Sequence, residues 1–454
     1  MERQIINKLI KWKEYPFRKP LILTGIRQVG KTWTLKEFGR LHYDNTAYFN
    51  FGENENYKQF FEGTKDIKRM LQNLMMASGQ RIEPERTLVI FDEIQDFPQV
   101  FEALEYFCDN GKEYHIVCAG NFFKSDMAAD SEMIPIDKVE ILELYPMNFK
   151  EFLRANGDDN LAAFIENINI LEPISEAFYN PLLEKLKMYF ITGGMPQSVL
   201  SWTQERDVPA METALKNIIE GYESDFIKKA EGKDASKMLQ IWQSIPLQLS
   251  KNNRKFTYKW VKEGARAREY EGALNCMADL GTVNKVYKVD EPEMPLSGKE
   301  ISSSFKIYLP DVGILRKMYQ MTSAAFGEGD RLFTEFNGAL SEGYLLEALM
   351  PQFEKMPRYW STNNPFHKVD FIVKYEGELV PIEVSGTTSG QSKSLKKYKE
   401  LYPDKTPLTV RFSLDNLKLD RDKLNMPLFM ADEAARLIGL ALDFGKGLSL
   451  LDIL

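Results

Sequence analysis

The order of apolar and polar positions changes character sharply at Leu21. Residues Leu21 to Thr34 read LILTGIRQVGKTWT: an apolar strand, a loop bounded by glycines, and the start of a helical repeat. Arg86 to Pro98 reads RTLVIFDEIQDFP, in which Leu88 to Phe91 are continuously apolar, as expected for a strand covered on both faces of a parallel sheet. Tyr114 to Asn121, YHIVCAGN, has the same form. Strand and helix patterns alternate from about residue 20 to 150, which predicts right-handed crossovers and a parallel α/β fold.

Beyond this region the period becomes helical from Glu151 to Leu200. It breaks at ITGGMPQSV, which predicts a Gly-rich corner capping one helix and a new helix starting at Pro196. Ile241 to Val289 reads as helices followed by DLGTVNKVYKV, a Gly turn and an alternating strand. The last part predicts a helix in LFTEFNGALSEGYLLEALM, strands at RYWST, KVDFIVKY and LVPIEVSGTT, and a helix in SKSLKKYKELY.

A chain of 454 residues is too long for one ordinary core and divides into two or three domains. Its 44% hydrophobic and 27% charged residues belong to a soluble globular protein. No apolar run reaches the roughly 18 to 20 residues a bilayer requires, and MERQIINKLIKWKEYPF carries charges inside its apolar stripe, unlike a signal peptide. The expected compartment is the cytoplasm. Cys108, Cys118 and Cys276 lack the paired spacing of a zinc site and are expected to be small hydrophobes. A net charge of -8 argues against a chain coated in nucleic acid but leaves room for a local basic face.

The loop Gly25-x-x-x-x-Gly30-Lys31-Thr32 is a phosphate-binding loop. Its glycines let backbone N–H groups point inward at phosphates, Lys31 brings a cation to the β and γ oxygens, and Thr32 offers a hydroxyl to Mg²⁺. Gly25, Arg27, Gln28, Val29, Gly30, Lys31, Thr32 and Trp33 form the expected cradle for ATP. Asp92 emerges at the C-terminal end of its strand, where open α/β sheets bind ligands, and can hold Mg²⁺ through water. Glu93 is the candidate to polarise the attacking water. Asn121 has two readings: a sensor of the γ-phosphate that orients the water, or a helix N-cap or turn residue.

With these motifs in place the chain resembles the AAA-type ATP-binding proteins of bacteria and archaea that carry a C-terminal restriction-endonuclease-like domain. GIRQVGKT, VIFDEIQ, LYPMNFKEFL, FITGGMPQSV, FKIYLPDVGIL and VPIEVSG carry the resemblance along nearly the whole chain. It implies an AAA-type P-loop domain at 1–155, a helical and winged-helix region at 156–322, and a restriction-endonuclease-like α/β domain at 323–454. The sequence departs from the family where Ala119-Gly120-Asn121 replaces Thr-Gly-Ser. The Gly-Arg pair that family members carry before PMNFKEFL is also replaced; Lys138 stands nearest it and lacks the planar guanidinium fork. Arg27 is the alternative source of charge.

Inside the middle region, KNNRKFTYKWVKEGARAREYEGAL carries Lys251, Arg254, Lys255, Lys259, Lys262, Arg266 and Arg268 among Tyr258 and Trp260. A basic, aromatic-bearing helical stretch suits DNA. Glu263, Glu269 and Glu271 interleave with the cations, so a solvated face with helix ion pairs and a protein-docking module stay open beside it.

In the C-terminal part Glu342, Asp370 and Glu383 would converge into a hard-cation site suited to Mg²⁺. A nuclease also needs a cation there, and its seat is held by Ser385. Lys393, Lys396 and Lys397 are the cations nearest in sequence. The expected outcome is a retained fold with weakened or lost cutting. The whole then reads as an ATP-binding, Mg²⁺-dependent switch or slow ATPase controlling a nuclease-like, DNA- or protein-interacting module. Its rivals are an ATP-regulated nuclease and a nucleotide-gated binding protein that barely hydrolyses ATP.

Overall fold

The computed structural model describes residues 1–62, 65–97, 99–122, 125, 134–229, 233–321, 331–362, 367–387, 392–445 and 447. Pro98, Thr388 and the boundary expected between 322 and 323 lie outside the described residues. Two compact units emerge, residues 2–145 with 279–282, and residues 146–278 with 283–454.

The first unit runs α1 (Ile5–Glu14), β1 (Leu21–Thr24), α2 (Lys31–His42), β2 (Asn45–Asn50), α3 (Ile67–Ser78), β3 (Thr87–Asp92), α4 (Gln99–Asn110), β4 (His115–Ala119) and β5 (Glu140–Glu143). Its five strands are all parallel, in the order β2-β3-β4-β1-β5. Every residue of the three central strands is buried, while both edge strands are partly exposed. The strand period explains why their sequences are apolar throughout. Leu21, Leu23, Leu88, Ile90 and Val117 enter one apolar cluster, and their neighbours Ile22, Val89, Phe91 and Ile116 enter the other. Each such side chain contributes about 1.5–3 kcal/mol of burial. The sheet therefore holds the C-terminal ends of β1, β3 and β4 side by side on a rigid base.

The second unit begins with helices α5 (Phe149–Ala155), α6 (Asp159–Glu166), α7 (Glu176–Thr192), α8 (Pro196–Glu205), α9 (Val208–Lys229), α10 (Lys233–Leu249) and α11 (Ala267–Asp279). A hairpin follows, β6 (Asn284–Val289) and β7 (Glu300–Tyr308), then α12 (Val312–Met318) and α13 (Arg331–Leu349). The remaining elements are β8 (Arg358–Ser361), β9 (Lys368–Tyr375), β10 (Glu378–Val384), α14 (Lys393–Leu401), β11 (Thr409–Ser413), β12 (Lys418–Asp420), β13 (Lys423–Pro427) and α15 (Ala434–Gly445).

Helix α13, the strands β8 to β10 and helix α14 stand in the order read from the sequence, and the sheet runs β12-β13-β11-β10-β9-β8-β6-β7. The hairpin expected to belong to a separate middle region joins this sheet instead, because β6 pairs in parallel with β8 at Lys288↔Tyr359 and Val289↔Trp360. That pairing covers an edge that would otherwise expose its backbone polar groups. The basic stretch also differs from expectation. Apart from a single turn at Tyr258–Trp260, residues 251–266 are irregular, and α-helix starts only at Ala267. Asn252-Asn253, the left-handed Arg254 (φ 47°) and Gly264 (φ 78°) are turn formers that interrupt it.

Two of the sequence motifs lock this unit. Gly193 (φ 72°) ends α7, and Pro196 opens α8 at its first turn. A β-carbon at Gly193 would meet Asp311 Oδ1 at 2.4 Å. Asp311 accepts from Gly194 N at 2.6 Å and caps α12 through Ile314 N at 2.9 Å. The stretch LYPMNFKEFL forms a capping box, in which Asn148 Oδ1 accepts from Glu151 N at 2.9 Å and Glu151 Oε2 accepts from Asn148 N at 3.2 Å.

Candidate nucleotide site and a buried ionic cluster

The loop between β1 and α2 takes the conformation its glycines allow. Gly25 (φ 143°), Gln28 (φ 65°) and Gly30 (φ 97°) have positive φ, and a β-carbon at Gly25 would lie 2.3 Å from Leu144 O. Val29 is buried, and its carbonyl accepts from Arg3 Nη1 at 3.0 Å. Arg27 and Trp33 are exposed.

Lys31 is buried and donates to Gly25 O (2.8 Å), Ile26 O (3.1 Å) and Asn121 Oδ1 (2.8 Å). Thr32 Oγ1 donates to Asp92 Oδ2 at 2.7 Å, which joins the helix start to the end of β3. The hydroxyl and carboxylate that P-loop chemistry assigns to Mg²⁺ thus meet in one place and fit an oxygen-seeking ion.

Glu93, with φ 57° and ψ 43°, leaves the strand in a left-handed turn that redirects its side chain. Gln95 Nε2 donates to Glu93 Oε2 at 2.8 Å, and Gln95 Oε1 accepts from Asn121 N at 3.1 Å. Lys31, Asn121, Gln95 and Glu93 therefore form one hydrogen-bonded chain. All five polar candidates, Lys31, Thr32, Asp92, Glu93 and Asn121, sit at the C-terminal edge of the sheet.

Several partners were not legible in the sequence. Tyr48, on β2, donates to Asp92 Oδ2 at 2.9 Å and accepts from Asn50 Nδ2 at 3.3 Å. Burial and the neighbouring Asp92 carboxylate push the Tyr48 hydroxyl well above the ordinary tyrosine value, so it stays a donor. Lys36 Nζ lies 3.4 Å from the Tyr48 ring centroid. Gln95 stood inside the quoted VIFDEIQ motif, whereas Tyr48 and Asn50 carried no signal because only strand pairing brings β2 beside β3. Lys138 is turned to Asp109 Oδ1 at 2.7 Å on the unit's surface.

In the second unit Glu342, on α13, and Asp370, on β9, are 0% and 2% exposed and come together around two lysines. Lys306 Nζ, from β7, is 2.6 Å from Glu342 Oε1 and 3.8 Å from Asp370 Oδ1. Lys368 Nζ is 3.2 Å from Asp370 Oδ1 and 4.0 Å from Glu342 Oε2. Arg254 pairs with Glu342 Oε2, and Tyr308 OH donates to Glu342 Oε1. Val384 N donates to Asp370 Oδ2 at 3.1 Å.

Burial alone would raise the Asp370 carboxyl, but Lys368, Lys306 and Arg254 outweigh it and hold it below the ordinary aspartate value. Burial pulls Lys306 well below the ordinary lysine range against the opposing pull of Asp370. Glu383, on β10, accepts from Ser392 Oγ; burial, with Asp370 adding to it, raises its carboxyl.

The cation sought beside Ser385 comes from elsewhere. Ser385 Oγ is 2.9 Å from Thr387 Oγ1, Lys393 and Lys396 are exposed on α14, and Lys397 pairs with Glu400 at 3.4 Å. Lys306, Lys368 and Arg254 supply the positive charge from β7, β9 and the loop before Phe256. Arg254, counted in the sequence among the cations of a basic face, is 4% exposed and belongs to this cluster. Among the described residues no group of three or more His, Cys, Asp or Glu is arranged to hold a metal. No helix among the described residues is long and apolar enough to cross a membrane.

Comparison with known families matches residues 17–153 to an AAA domain. Residues 183–325 match a domain of unknown function (DUF8612), and 337–429 match another (DUF4143). An uncharacterized protein of Haemophilus influenzae is 25% identical over 257 residues, which cover 54% of either chain. The chain thus spans about half the length of that curated relative. Among solved structures, the Walker-type ATPase PABY2304 of Pyrococcus abyssi aligns at 13% identity and TM-score 0.42, over 70% of this chain and 95% of that one. The ORC1 protein of Aeropyrum pernix in complex with DNA aligns at 12% and TM-score 0.30, over 71% and 93%. AMPPCP-bound DnaA from Aquifex aeolicus aligns at 13% and TM-score 0.24, over 61% and 87%.

Proposed function

We propose, from the premise that residues 17–153 form an AAA-type nucleotide-binding domain, that this chain is an ATP-binding, Mg²⁺-dependent switch or slow ATPase whose nucleotide state controls the second unit. The observation that carries the reading is the meeting of the loop's Lys31 and Thr32 with Asp92 and Asn121 within hydrogen-bonding distance.

Lys31 would give up Gly25 O, Ile26 O and Asn121 for phosphate oxygens, an exchange of carbonyl partners for anionic ones. Thr32 and Asp92 would hold Mg²⁺, which when bound neutralises charge developing on the phosphates. Glu93 orients and deprotonates the attacking water, with Gln95 fixing one of its oxygens. Asn121, released by Lys31, reports occupancy to Glu93 through Gln95. The domain pattern of 1–155, 156–322 and 323–454 belongs to this proposal, with the β6–β7 hairpin of the middle part completing the C-terminal sheet, as do a winged-helix role for α10, α11 and that hairpin, a restriction-endonuclease-like C-terminal part and a cytoplasmic location.

DNA is the favoured macromolecular partner, at the loop 251–266 and the first turn of α11. Lys255, Lys259, Lys262, Arg266 and Arg268 are exposed there, and Lys251 and Lys259 lie 4.6 and 5.5 Å from the exposed Trp260 ring. A protein partner is the alternative. Nuclease action is disfavoured because the cluster's carboxylates are already engaged by lysine and arginine.

Turnover tests the assignment. Glu93→Gln keeps Asp92 and the loop, so it should bind Mg²⁺·ATP like the parent while phosphate release falls about 10²- to 10⁴-fold, the usual share of a general base. Parent-like release in that variant would place the base elsewhere.

A further inference from the structure

The fold the sequence resembles leads one to expect a divalent cation among Glu342, Asp370 and Glu383. The donor set does not fit one. A hard cation needs free carboxylate oxygens arranged around a common point, with water filling the remaining positions. Here Glu342 Oε1 has Lys306 at 2.6 Å and the Tyr308 hydroxyl, while Glu342 Oε2 has Arg254. Asp370 Oδ2 takes the Val384 amide at 3.1 Å, and Asp370 Oδ1 faces Lys368 at 3.2 Å and Lys306 at 3.8 Å. Each lysine thus spans both carboxylates, and the two acids and two amines alternate in a ring. Glu342, Lys306 and Asp370 are all at most 2% exposed, so none of them has a hydration shell to exchange. The third carboxylate, Glu383, takes the Ser392 hydroxyl.

The formal charges of Arg254, Lys306 and Lys368 balance those of Glu342, Asp370 and Glu383. A dication beside Lys306 would bring positive charge that no further carboxylate offsets against the buried Glu342 and Asp370, which is a costly arrangement. The same contacts give the ring a purpose of its own. They tie the loop at Arg254, strand β7, helix α13 and strand β9 to one another within the second unit.

We propose that the side-chain nitrogen of Lys306 stands where a divalent cation would have to sit between Glu342 and Asp370, so that this carboxylate set is a metal site held shut by the protein's own amine. The predicted consequence is specific. The wild type takes up no metal through Asp370, and removal of the Lys306 nitrogen alone opens a site that depends on Asp370.

The test is Mn²⁺ binding to the nucleotide-free full-length chain, read by the loss of the free-ion electron paramagnetic resonance signal. Wild type, Asp370→Asn, Lys306→Met and Lys306→Met with Asp370→Asn are compared, with far-ultraviolet circular dichroism confirming folding. Wild type and Asp370→Asn should give superimposable isotherms, whereas Lys306→Met should gain an ion per chain that the double variant loses. Lys306→Leu, which also removes the nitrogen, replaces Lys306→Met if that chain does not fold. An Asp370-dependent ion in the wild type would overturn the proposal, as would a folded Lys306 variant that gains none.

Discussion

Glu347 should keep its proton to a pH well above that at which an ordinary glutamate loses it. Tyr189 OH lies 2.6 Å from Met147 O and 2.7 Å from Glu347 Oε1. A backbone carbonyl only accepts, so the single Tyr189 hydrogen goes to Met147 and the tyrosine oxygen faces Glu347 as an acceptor. Glu347 Oε1 must then carry a proton, while Oε2 accepts from Val312 N at 3.0 Å. Burial is the largest cause raising this carboxyl well above the ordinary glutamate value, and Asp311 and Asp432 add to it, outweighing the lowering pull of the Tyr189 and Val312 contacts. Other charged or titratable groups in this neighbourhood include Tyr189, Tyr344, Lys150, Glu151, Glu433 and Arg316.

The sign follows from linkage. Because the folded carboxyl holds its proton where the unfolded one has lost it, this contribution is complete below the unfolded value of about 4.5. It declines as pH rises toward the folded value, at up to about 1.4 kcal/mol per pH unit. Glu347→Gln reproduces the protonated pattern: its amide N–H donates to Tyr189 and its carbonyl accepts from Val312. The variant should therefore gain on the wild type as pH rises above about 5. At about 1.5 °C per kcal/mol for a unit of roughly 300 residues, the gap in Tm should widen by up to roughly 2 °C per pH unit. Asp311 and Asp432, each lifted to about 6 mainly by burial, slope in the same direction, and subtracting the two profiles largely removes them. Thermal unfolding followed by circular dichroism across that range is the assay. A gap that stays flat, or narrows with rising pH, would refute the neutral carboxyl.

Gln95→Ala should lower kcat for ATP roughly ten- to a hundredfold with KM within about twofold, because Gln95 touches Glu93 and not the nucleotide loop; a change in KM alone, measured by phosphate release, would assign it to binding. Replacing Lys255, Lys259 and Arg266 together with Ala should weaken DNA binding and flatten the slope of log K against log salt by about 0.9 for each phosphate no longer neutralised. Fluorescence anisotropy across a salt series checks this, and wild-type binding that ignores salt would favour a protein partner at this loop.

The nucleotide site was legible because its parts are local. A strand, a glycine loop and a helix start are contiguous at 21–34, and Asp92 follows directly from a buried strand. Tyr48 and Asn50 were hidden because their relevance depends on β2 pairing beside β3. In the C-terminal part the order of elements could be read, but the chemistry could not. Lys306 lies on a hairpin that local pattern assigned to the middle region, and β6 pairing with β8 carries it into the same sheet as Asp370. Arg254 looked like surface charge, since nothing in a run of cations reveals that one side chain turns inward. The FITGGMPQSV and FKIYLPDVGIL motifs proved to be two halves of one junction, Gly193 and Gly194 against Asp311 and Gly313.

The nucleotide site is tested most directly by equilibrium binding of Mg²⁺·ATP to the 454-residue chain and to Lys31→Ala by isothermal titration calorimetry. One ATP should bind per wild-type chain. The variant should bind about 10- to 150-fold more weakly, the worth of about 1.5–3 kcal/mol for charge-assisted hydrogen bonds to phosphate. Equal affinity in the two proteins, or no binding by the wild type, would contradict this assignment of the site.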